Sequence, residues 1–560
     1  MANPDIFAIP SSLKCGSADF MKNRRVQCAF VLSCTALAAL VPYGHSTIPI
    51  LVVGLIAAFS SAAVITFRFS FLEKIFDNVV RWQLILTIVF TIVAAFNFYD
   101  NFCRSFHRGI ELGILPNKFE GISTFVHVVA GFTATAAVPA AFVFLYGFIN
   151  RFFPMIKDGI TKSDFTEKRF FIIGGLILSA MLMILYSKTM VFYAAPVGSG
   201  HEYETIYSAD SSILVEQNCW MNVNAGQNDI RHILFGVYAM PFAIAATLLS
   251  HVFFFIPDSY LICLGIIQIG LVLVTACLIG RMLRLETVSK VFFLLAFFLS
   301  HPLLIFSFLV EQYVFAVFWL VLFLHAAMFR RPYRDFLYVG AAGSLLTSGF
   351  FFFLLSKVNG WKNGIRDVIA GNLKFLATIT LFGQFAAIIT IAERLNYLKQ
   401  WGGANLTFYE KFLVFINFIQ ACFVQPPVEI TMPLQDFPSY SLAPVTSLNM
   451  IGLAFLLSAT AGFILNTKHY FARLCFAWVV ASFMILCVGG WGTADNSMGL
   501  YTYYFGWAYF CLVFLGIEKI LHKWSIVKHA VYALLIVGLA YINIPGFYDL
   551  VQFGIKHYPC

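Results

Sequence analysis

Long apolar runs follow one another along almost the whole of this 560-residue chain, and they limit the folds that it can adopt. Hydrophobic residues make up 60% of the sequence and aromatic residues 17%, and the mean hydropathy is +0.83. A soluble globular protein of this length cannot keep so much apolar surface away from water. Because the runs are continuous rather than alternating, they predict transmembrane α-helices and exclude a β-barrel.

The runs are long enough to cross a hydrocarbon core of about 30 Å, which takes roughly 17 to 25 helical residues. We therefore predict an all-α, polytopic membrane protein with about 15 transmembrane helices. The predicted spans are 26–44, 48–67, 82–99, 123–149, 170–191, 261–280, 291–310, 313–329, 336–356, 368–391, 409–424, 446–466, 471–490, 500–517 and 529–544. The segment 425–445, which is rich in proline, is predicted to be a loop.

Short clusters of Lys and Arg between the runs predict the orientation, since such clusters favour the cytoplasmic side. With the basic N terminus inside, 151–169 also falls inside and the stretch from Ala194 to His232 falls outside. The later clusters then fall inside only if the apolar run 233–256 is an interfacial or re-entrant helix, which is what we predict. Topology thus explains the net charge of +9, and no nucleic-acid partner is predicted.

The stretch from Ala194 to His232 is unusual because it gathers acids in a chain of which only 11% is charged. Asp210, in the motif YSADSS, is the strongest candidate for chemistry. A carboxylate beside a helix end at the membrane interface can act as a general base or hold a divalent cation against a phosphate. The alternative is an aspartate that caps the following helix, since Asp and Ser favour N-cap positions and loop carboxylates are common.

The motif NDIRH immediately before the run 233–256 places an acid, a guanidinium and an imidazole on neighbouring positions. Arg231 could bind a phosphate through two hydrogen bonds, and His232 could donate to it or ligate a metal. Asp229 belongs to the same group. The alternative is an interfacial anchor at a helix start.

Further candidates lie in predicted external segments. Glu311, in FLVEQYVF, is flanked by apolar residues and should face a cavity or a partner, unless it is an exposed carboxylate at a hairpin tip. Three cations placed outside against the general trend suit an anionic ligand, although lipid head groups alone would also hold them. Two acids could assist Asp210, although solvation in a flexible loop is the preferred explanation of each. The three cations are Lys357, Lys362 and Arg366, and the two acids are Glu202 and Glu204.

The order of these features resembles the GT-C superfamily of membrane glycosyltransferases. An outward helix, an external loop with YSADSS and the step NDIRHILFGVYAMPF are similar to that family's first catalytic loop. Many members have R-H-P-L-F where this chain has Arg231-His232-Ile233-Leu234-Phe235, without the proline. SHPLLIFSFLVEQYVFAVF and WGTADNSMGLYTYYFGWA also resemble parts of the family's module. The resemblance covers residues 170–517, with an external loop at 192–232, and leaves 1–169 as a four-helix region and 518–560 as a C-terminal helix and tail.

The resemblance implies transfer of a sugar from a polyprenyl-phosphate-linked donor to a cell-envelope glycan or lipid at the extracytoplasmic face of the plasma (inner) membrane. Asp210 would be the base, or the acid that holds a divalent cation such as Mg²⁺ or Mn²⁺. Arg231 and His232 match the family's motif and would bind the donor phosphate; Lys357, Lys362 and Arg366 would assist. Two alternatives share the donor class: a transporter or flippase of lipid-linked glycans, and an O-antigen-type ligase or polymerase that depends on Arg and His rather than on Asp210.

Overall fold

The computed structural model describes residues 163–193, 205–222, 231–329, 334–349, 368–369, 371–376, 402–403, 405–434, 437–493 and 497–560, with a few positions elsewhere. By its contacts the chain divides into two compact units. The first comprises Met1–Lys162 with Leu376–Thr390, and the second comprises Ser163–Phe375 with Ile391–Cys560. Nearly all described residues belong to the second unit, which is mostly helical. The first four predicted spans lie outside the described residues except for single positions.

In the described residues from 163 to 349, eight α-helices follow one another. From α1 to α8 they are Phe165–Tyr186, Ser211–Glu216, Phe235–Val252, Ser259–Leu283, Thr287–Phe298, His301–Phe306, Gln312–Met328 and Arg334–Ser344. A 3-10 turn over Leu346–Gly349 follows α8.

The described residues after 405 add five helices and one hairpin. These are α9 Phe408–Ala421, β1 Val428–Leu434, β2 Phe437–Leu442, α10 Met450–Leu465, α11 Tyr470–Ser482, α12 Thr502–Ile520 and α13 Ser525–His557. A π-helical turn, Phe483–Val488, continues α11, and a 3-10 turn, Ser497–Tyr501, leads into α12.

Six of the described helices are long and apolar enough to cross a membrane. They are α1, α3, α4, α11 with its π turn, α12 with its preceding 3-10 turn, and α13. The coarse prediction of a helical membrane protein is therefore supported by length and composition.

The predicted span 291–310 is broken into α5 and α6. Ser300 is the N-cap of α6, and Pro302 stands in the first turn of that helix. Proline suits a first turn but disfavours helical conformation in the residue before it. The polar pair Ser300-His301 therefore marks a break inside an apolar run.

The predicted loop 425–445 is instead a β-hairpin, so this prediction was wrong. Its two strands pair antiparallel, with Val428 opposite Leu442 and Ile430 opposite Tyr440. Apolar residues alternate with Glu429, Thr431, Ser439 and Ser441, which is the period of a strand. The prolines do not prevent pairing, because a register shift between Thr431 and Leu434 accommodates the irregular end.

The last helix is longer than predicted and includes the predicted external tail. It runs from Ser525 to His557 with Pro545 inside it. Beyond it, the carbonyl of Tyr558 accepts hydrogen bonds from the Met190 amide, at 3.0 Å, and from the Thr189 hydroxyl, at 2.8 Å. The tail therefore packs beside the end of α1.

Close backbone approach joins α10 to α12. A Cβ added to Gly462 would lie 2.0 Å from the carbonyl oxygen of Leu512, so only glycine fits. Small residues at such positions let membrane helices approach until dispersion contacts and interhelical hydrogen bonds form. Here the Asn466 amide donates across the interface to the Leu515 carbonyl at 3.0 Å.

Ion pairs gather at one end of the second unit, which we call the ion-pair end. At the start of α1, Glu167 is 3% exposed and accepts from Arg281 of α4 at 2.6 Å. Lys290 of α5 bridges Glu167 and the N-cap residue Asp164. Nearby along α5, Glu286 binds Lys528 of α13, which also contacts Glu518 of α12.

The opposite end, where α1 ends and α7 begins, is called the loop end. There the Tyr186 hydroxyl donates to the Phe308 carbonyl at 2.8 Å, and the Val310 amide donates to the Phe192 carbonyl. Both ends of α3 also lie here. The His232 ring, just before α3, lies 5.7 Å from the Tyr313 ring. Near the other end of α3, the Ser250 carbonyl accepts from the Ser259 hydroxyl of α4 at 3.5 Å, and Asp258, the N-cap residue of α4, interacts electrostatically with the Tyr193 hydroxyl.

The Glu167–Arg281 pair should be essential for stability. Replacing Arg281 by Gln leaves the buried Glu167 carboxylate with Lys290 alone, and breaking a buried pair costs about 3 kcal/mol. Thermal unfolding of the purified protein in detergent measures the loss. The matched control is Lys168→Gln, an exposed neighbour on α1. Equal melting temperatures for the two variants would contradict the assignment.

Acid should weaken the same end of the protein. Burial of Asp164 opposes its ionisation, but the hydrogen bond and charge of Lys290 outweigh it, so the pKa of Asp164 lies below its ordinary value. The hydrogen bond from Lys528 likewise lowers the pKa of Glu286. A depressed carboxyl pKa stabilises the fold above the unfolded value, about 4, and that stabilisation disappears as pH falls through the folded value.

The measurement is the thermal midpoint between about pH 7 and pH 3. We expect the double variant Asp164→Asn, Glu286→Gln to be less stable at neutral pH and to lose less on acidification. Glu216→Gln, an exposed acid of α2, serves as the control. Parallel pH profiles for all three proteins would count against this explanation.

Candidate functional site

The turn that carries YSADSS has a strained backbone. Tyr207 and Ser208 have φ values of 52° and 60°, in the left-handed region that residues with a Cβ seldom adopt. Hydrogen bonds from the hairpin hold the turn in place. The Tyr207 amide donates to the Tyr440 carbonyl, and the Tyr440 amide donates to the Thr205 carbonyl, both at 2.9 Å. Such strain persists only where surrounding contacts enforce it, and it concentrates at functional sites.

A buried histidine holds the Tyr207 side chain. His301 Nδ1 lies 2.9 Å from the Ala421 carbonyl, and its Nε2 lies 3.1 Å from the Tyr207 hydroxyl. A carbonyl only accepts, so Nδ1 carries the proton and, in the neutral ring, Nε2 accepts from Tyr207. Sequence reasoning missed His301 as a partner of this turn. The signal was a polar Ser-His pair before Pro302 inside an apolar run.

Asp210 follows this turn directly and is half-buried at the N-cap position of α2. Its side chain makes no capping hydrogen bond, so the alternative of a simple capping aspartate does not describe it. Burial raises the pKa of the Cys219 thiol to about 12, and the charges of Asp210 and Glu311 add to the effect. The two carboxylates therefore both lie within electrostatic range of one thiol.

Glu311 is 1% exposed and is the N-cap residue of α7. Its Oε1 accepts from the Gln312 amide at 3.1 Å. The alternative of an exposed carboxylate at a hairpin tip was therefore wrong, because the preceding residue, Val310, is held against Phe192 by a backbone hydrogen bond. Glu311 is instead a buried acid at the loop end.

The segment from Arg231 to Leu234 caps the C-terminal end of α8. The Leu234 amide donates to the Gly343 carbonyl at 2.8 Å, and His232 Nδ1 lies 2.6 Å from the Ser344 carbonyl. The last carbonyls of a helix have no partner within the helix, so these contacts satisfy two of them. A Cβ at Gly343 would lie 2.6 Å from the Leu234 side chain, so this close contact requires glycine.

This geometry fixes what His232 can offer. Because the Ser344 carbonyl only accepts, Nδ1 carries the proton, and the neutral ring presents Nε2 as an acceptor. The neutral ring can therefore ligate a cation or accept a proton, whereas donation to a phosphate from Nε2 requires the imidazolium. His232 is 3% exposed, so its contact with the Ser344 carbonyl is buried.

Arg231 faces an aromatic group at the same end. Its guanidinium carbon lies 6.0 Å from the Trp491 ring centroid, and Trp491 Nε1 donates to the Tyr501 hydroxyl at 2.5 Å. Tyr313 connects this group to the acids. Its ring lies 5.5 Å from that of Tyr501, and its hydroxyl interacts electrostatically with both Arg231 and Glu311. Tyr313 was not anticipated from the sequence.

Four of the predicted site residues are thus brought together around Cys219 and Tyr313: Asp210, Glu311, Arg231 and His232. The arrangement offers carboxylates that can accept a proton, a guanidinium that can bind an oxyanion, and aromatic faces. The Ser211 hydroxyl beside Asp210 is also buried, and no described group hydrogen-bonds to it.

The other predicted site residues lie outside the described residues: Glu202, Glu204, Asp229, Lys357, Lys362 and Arg366. Within the described ranges, no group of three or more His, Cys, Asp or Glu side chains is arranged to hold a metal ion. The predictions for these residues and for a divalent cation stay predictions.

Comparison of the chain with protein-family models, with curated proteins and with solved structures finds no match.

The left-handed turn makes a testable prediction at Ser208. Ser208→Gly should match or exceed the wild-type stability, because relief of about 1–2 kcal/mol of strain offsets the conformational entropy that glycine loses. Ser208→Val should be destabilising, because a β-branched side chain suits this conformation least. At Ser187, an exposed residue with φ −84°, the same pair should show the opposite order. Thermal unfolding measures the stability of all four variants. If the Gly variant is the more stable of the pair at both positions, or the Val variant at both, the left-handed conformation of Ser208 is refuted.

Proposed function

We propose that this chain is a membrane glycosyltransferase of the GT-C kind, which moves a sugar from a polyprenyl-phosphate-linked donor to a hydroxyl of a cell-envelope glycan or lipid. The observation that carries the proposal is the cluster at the loop end. The carboxylates of Asp210 and Glu311 both interact electrostatically with the Cys219 thiol. Glu311 and Arg231 both interact electrostatically with the Tyr313 hydroxyl. Sugar transfer from a phosphate needs a base and a cation close together.

In this reaction the acceptor oxygen attacks the anomeric carbon while the bond from that carbon to the phosphate oxygen breaks. Asp210 takes the proton of the acceptor hydroxyl, and Arg231 receives the charge of the departing phosphate. Asp210 suits the first role because it is half-buried, its side chain makes no capping bond and the turn before it is fixed. Arg231 suits the second role because a guanidinium binds phosphate through two parallel hydrogen bonds.

Glu311 and the aromatic residues support these roles. The buried Glu311 carboxylate lies, like that of Asp210, within electrostatic range of the Cys219 thiol, so it adds a second acid to the proposed site. The Trp491 ring lies beside Arg231 and hydrogen-bonds to Tyr501, and we propose that the face of Trp491 packs on the sugar. Glu202, Glu204, Asp229, Lys357, Lys362 and Arg366 are proposed to complete the binding surface for donor and acceptor.

The proposed topology has about 15 transmembrane helices, with the loop end at the extracytoplasmic face of the plasma membrane. In this arrangement α3 is an interfacial or re-entrant helix, although its 18 residues are long enough to cross. The position of both its ends beside Tyr193 and Tyr313 supports this placement. A lipid-linked donor would then reach Asp210 from the bilayer.

A divalent cation, Mg²⁺ or Mn²⁺, is proposed as an optional cofactor. The carboxylates of Asp210 and Glu311 are oxygen ligands of the type such ions prefer; they would hold the cation, which would offset the negative charge of the donor phosphate. Transfer that is abolished by EDTA and restored by Mg²⁺ or Mn²⁺ would support this role.

The central test uses purified protein in lipid nanodiscs with a panel of polyprenyl-phosphate hexoses and pentoses and isolated envelope glycans as acceptors. Asp210→Asn should lower the transfer rate by about 100-fold or more, because a positioned general base contributes at least that factor. Glu216→Gln, an exposed acid at the end of the same short helix, should be active. Equal rates for Asp210→Asn and the control would remove Asp210 from the mechanism.

The same assay separates the two alternatives. Transfer that survives Asp210→Asn but is lost in Arg231→Gln would favour an O-antigen-type ligase or polymerase. Movement of the labelled donor between leaflets, without transfer, would favour a flippase. Arg231→Gln in a glycosyltransferase should instead weaken donor binding and slow departure of the phosphate, so both KM and kcat should change.

A further inference from the structure

A second group of charges at the ion-pair end consists of cations from three separate parts of the sequence. We call it the basic cluster, and its members are Arg284 after α4, Arg334 at the start of α8, and Lys468 and Arg473 around the start of α11. Arg284 acts electrostatically on His469. The Tyr470 hydroxyl is influenced by both Arg473 and Arg334, and the Arg473 guanidinium carbon lies 6.0 Å from the Tyr470 ring centroid.

The basic cluster differs from the neighbouring ion pairs. Arg281, Lys290 and Lys528 each have a carboxylate within 4.0 Å. Among the described residues, no carboxylate lies within that distance of Arg284, Lys468 or Arg473, and all three are exposed. The positive charges of these side chains repel one another, and a bound anion would offset this repulsion.

His469 adds a neutral donor to the basic cluster. It is the N-cap residue of α11, and its Nδ1 accepts from the Ala472 amide at 3.3 Å. Burial and the charge of Arg284 lower the pKa of His469, so the ring is neutral at physiological pH. Because Nδ1 accepts, the proton of the neutral ring is on Nε2, which can donate to an anionic oxygen.

An apolar surface leads to the basic cluster. The helix α10 exposes Leu457, Ile464 and Leu465, with exposed fractions of 60%, 63% and 42%, and Lys468 follows three residues after its end. An exposed apolar face on a helix of a membrane protein is suited to acyl chains. The combination of an apolar face and cations at its end matches the two halves of a phospholipid.

We propose that the basic cluster, with His469, binds the phosphate head group of an anionic phospholipid whose acyl chains lie along α10. The binding site is independent of the glycosyltransferase proposal and lies at the opposite end of the second unit from Asp210. Basic pockets between membrane helices are a known way of recognising acidic head groups. Binding would tie α4 to α11, and would stabilise the folded protein by mass action.

The test compares the full-length protein with two triple variants of equal net charge. The site variant removes three cations of the basic cluster: Arg284→Gln, Lys468→Gln and Arg473→Gln. The matched control removes three exposed cations elsewhere at the ion-pair end: Lys168→Gln, Arg169→Gln and Lys523→Gln. Each protein, in a neutral detergent, is titrated with phosphatidylglycerol or phosphatidylcholine and followed by native mass spectrometry and thermal unfolding.

We expect phosphatidylglycerol to bind to the wild type and the control and to raise their melting temperatures, and phosphatidylcholine not to do so. The site variant should bind phosphatidylglycerol about 100-fold more weakly, since each Lys or Arg near an acidic lipid contributes roughly a factor of five. Equal affinity in the two triple variants would overturn the proposal. So would an equal thermal shift with glycerol 3-phosphate at the same phosphate concentration, because the site would then bind a free anion.

If the triple site variant does not fold, the single variant Arg473→Gln is compared with Arg169→Gln in the same titrations. A fivefold loss of affinity in the first alone supports the proposal. No difference between the two contradicts it.

Discussion

The buried carboxylate of Glu167 is the constraint on which the arrangement of the second unit depends. A charge that is 3% exposed must be paired, because the desolvation of an unpaired carboxylate costs several kcal/mol. Arg281 and Lys290 meet this need from α4 and α5, so the starts and ends of three helices are fixed at one level. The 22 residues of α1 then span about 33 Å, which places its other end, Tyr186, beside the segment before α7.

The candidate site follows from that placement. The segment that follows α1 passes the start of α7. There the hydrogen bond from the Val310 amide to the Phe192 carbonyl holds this segment against the residues that precede α7. Glu311 is the next residue, so it is buried there. The NDIRH motif reaches the same place because its last residues satisfy the terminal carbonyls of α8. These backbone contacts therefore hold the segments that carry Asp210, Glu311 and Arg231 at the loop end, around Cys219 and Tyr313.

Much of this could be predicted from the sequence, because apolar length depends only on local composition. The helices α1 and α4 begin or end within a few residues of the predicted spans 170–191 and 261–280. The break at Ser300, the hairpin and the partners of Tyr207 could not be predicted in the same way, since each depends on a contact distant in sequence. His301 contacts a residue 94 positions away, and His232 contacts one 112 positions away.

The hairpin shows why these distant contacts matter for chemistry. A turn with two consecutive left-handed residues would relax if it were an isolated loop, since each costs about 1–2 kcal/mol. The edge of β2 offers one backbone pair to this turn, and His301 offers a fixed acceptor for the Tyr207 hydroxyl. Neither contact involves Asp210 itself, yet together they fix the position of the turn from which the Asp210 side chain extends. In the proposed reaction, a base at Asp210 that is held by rigid neighbours would need no reorganisation when a hydroxyl arrives, and the enforced turn at Tyr207 and Ser208 would provide this preorganisation.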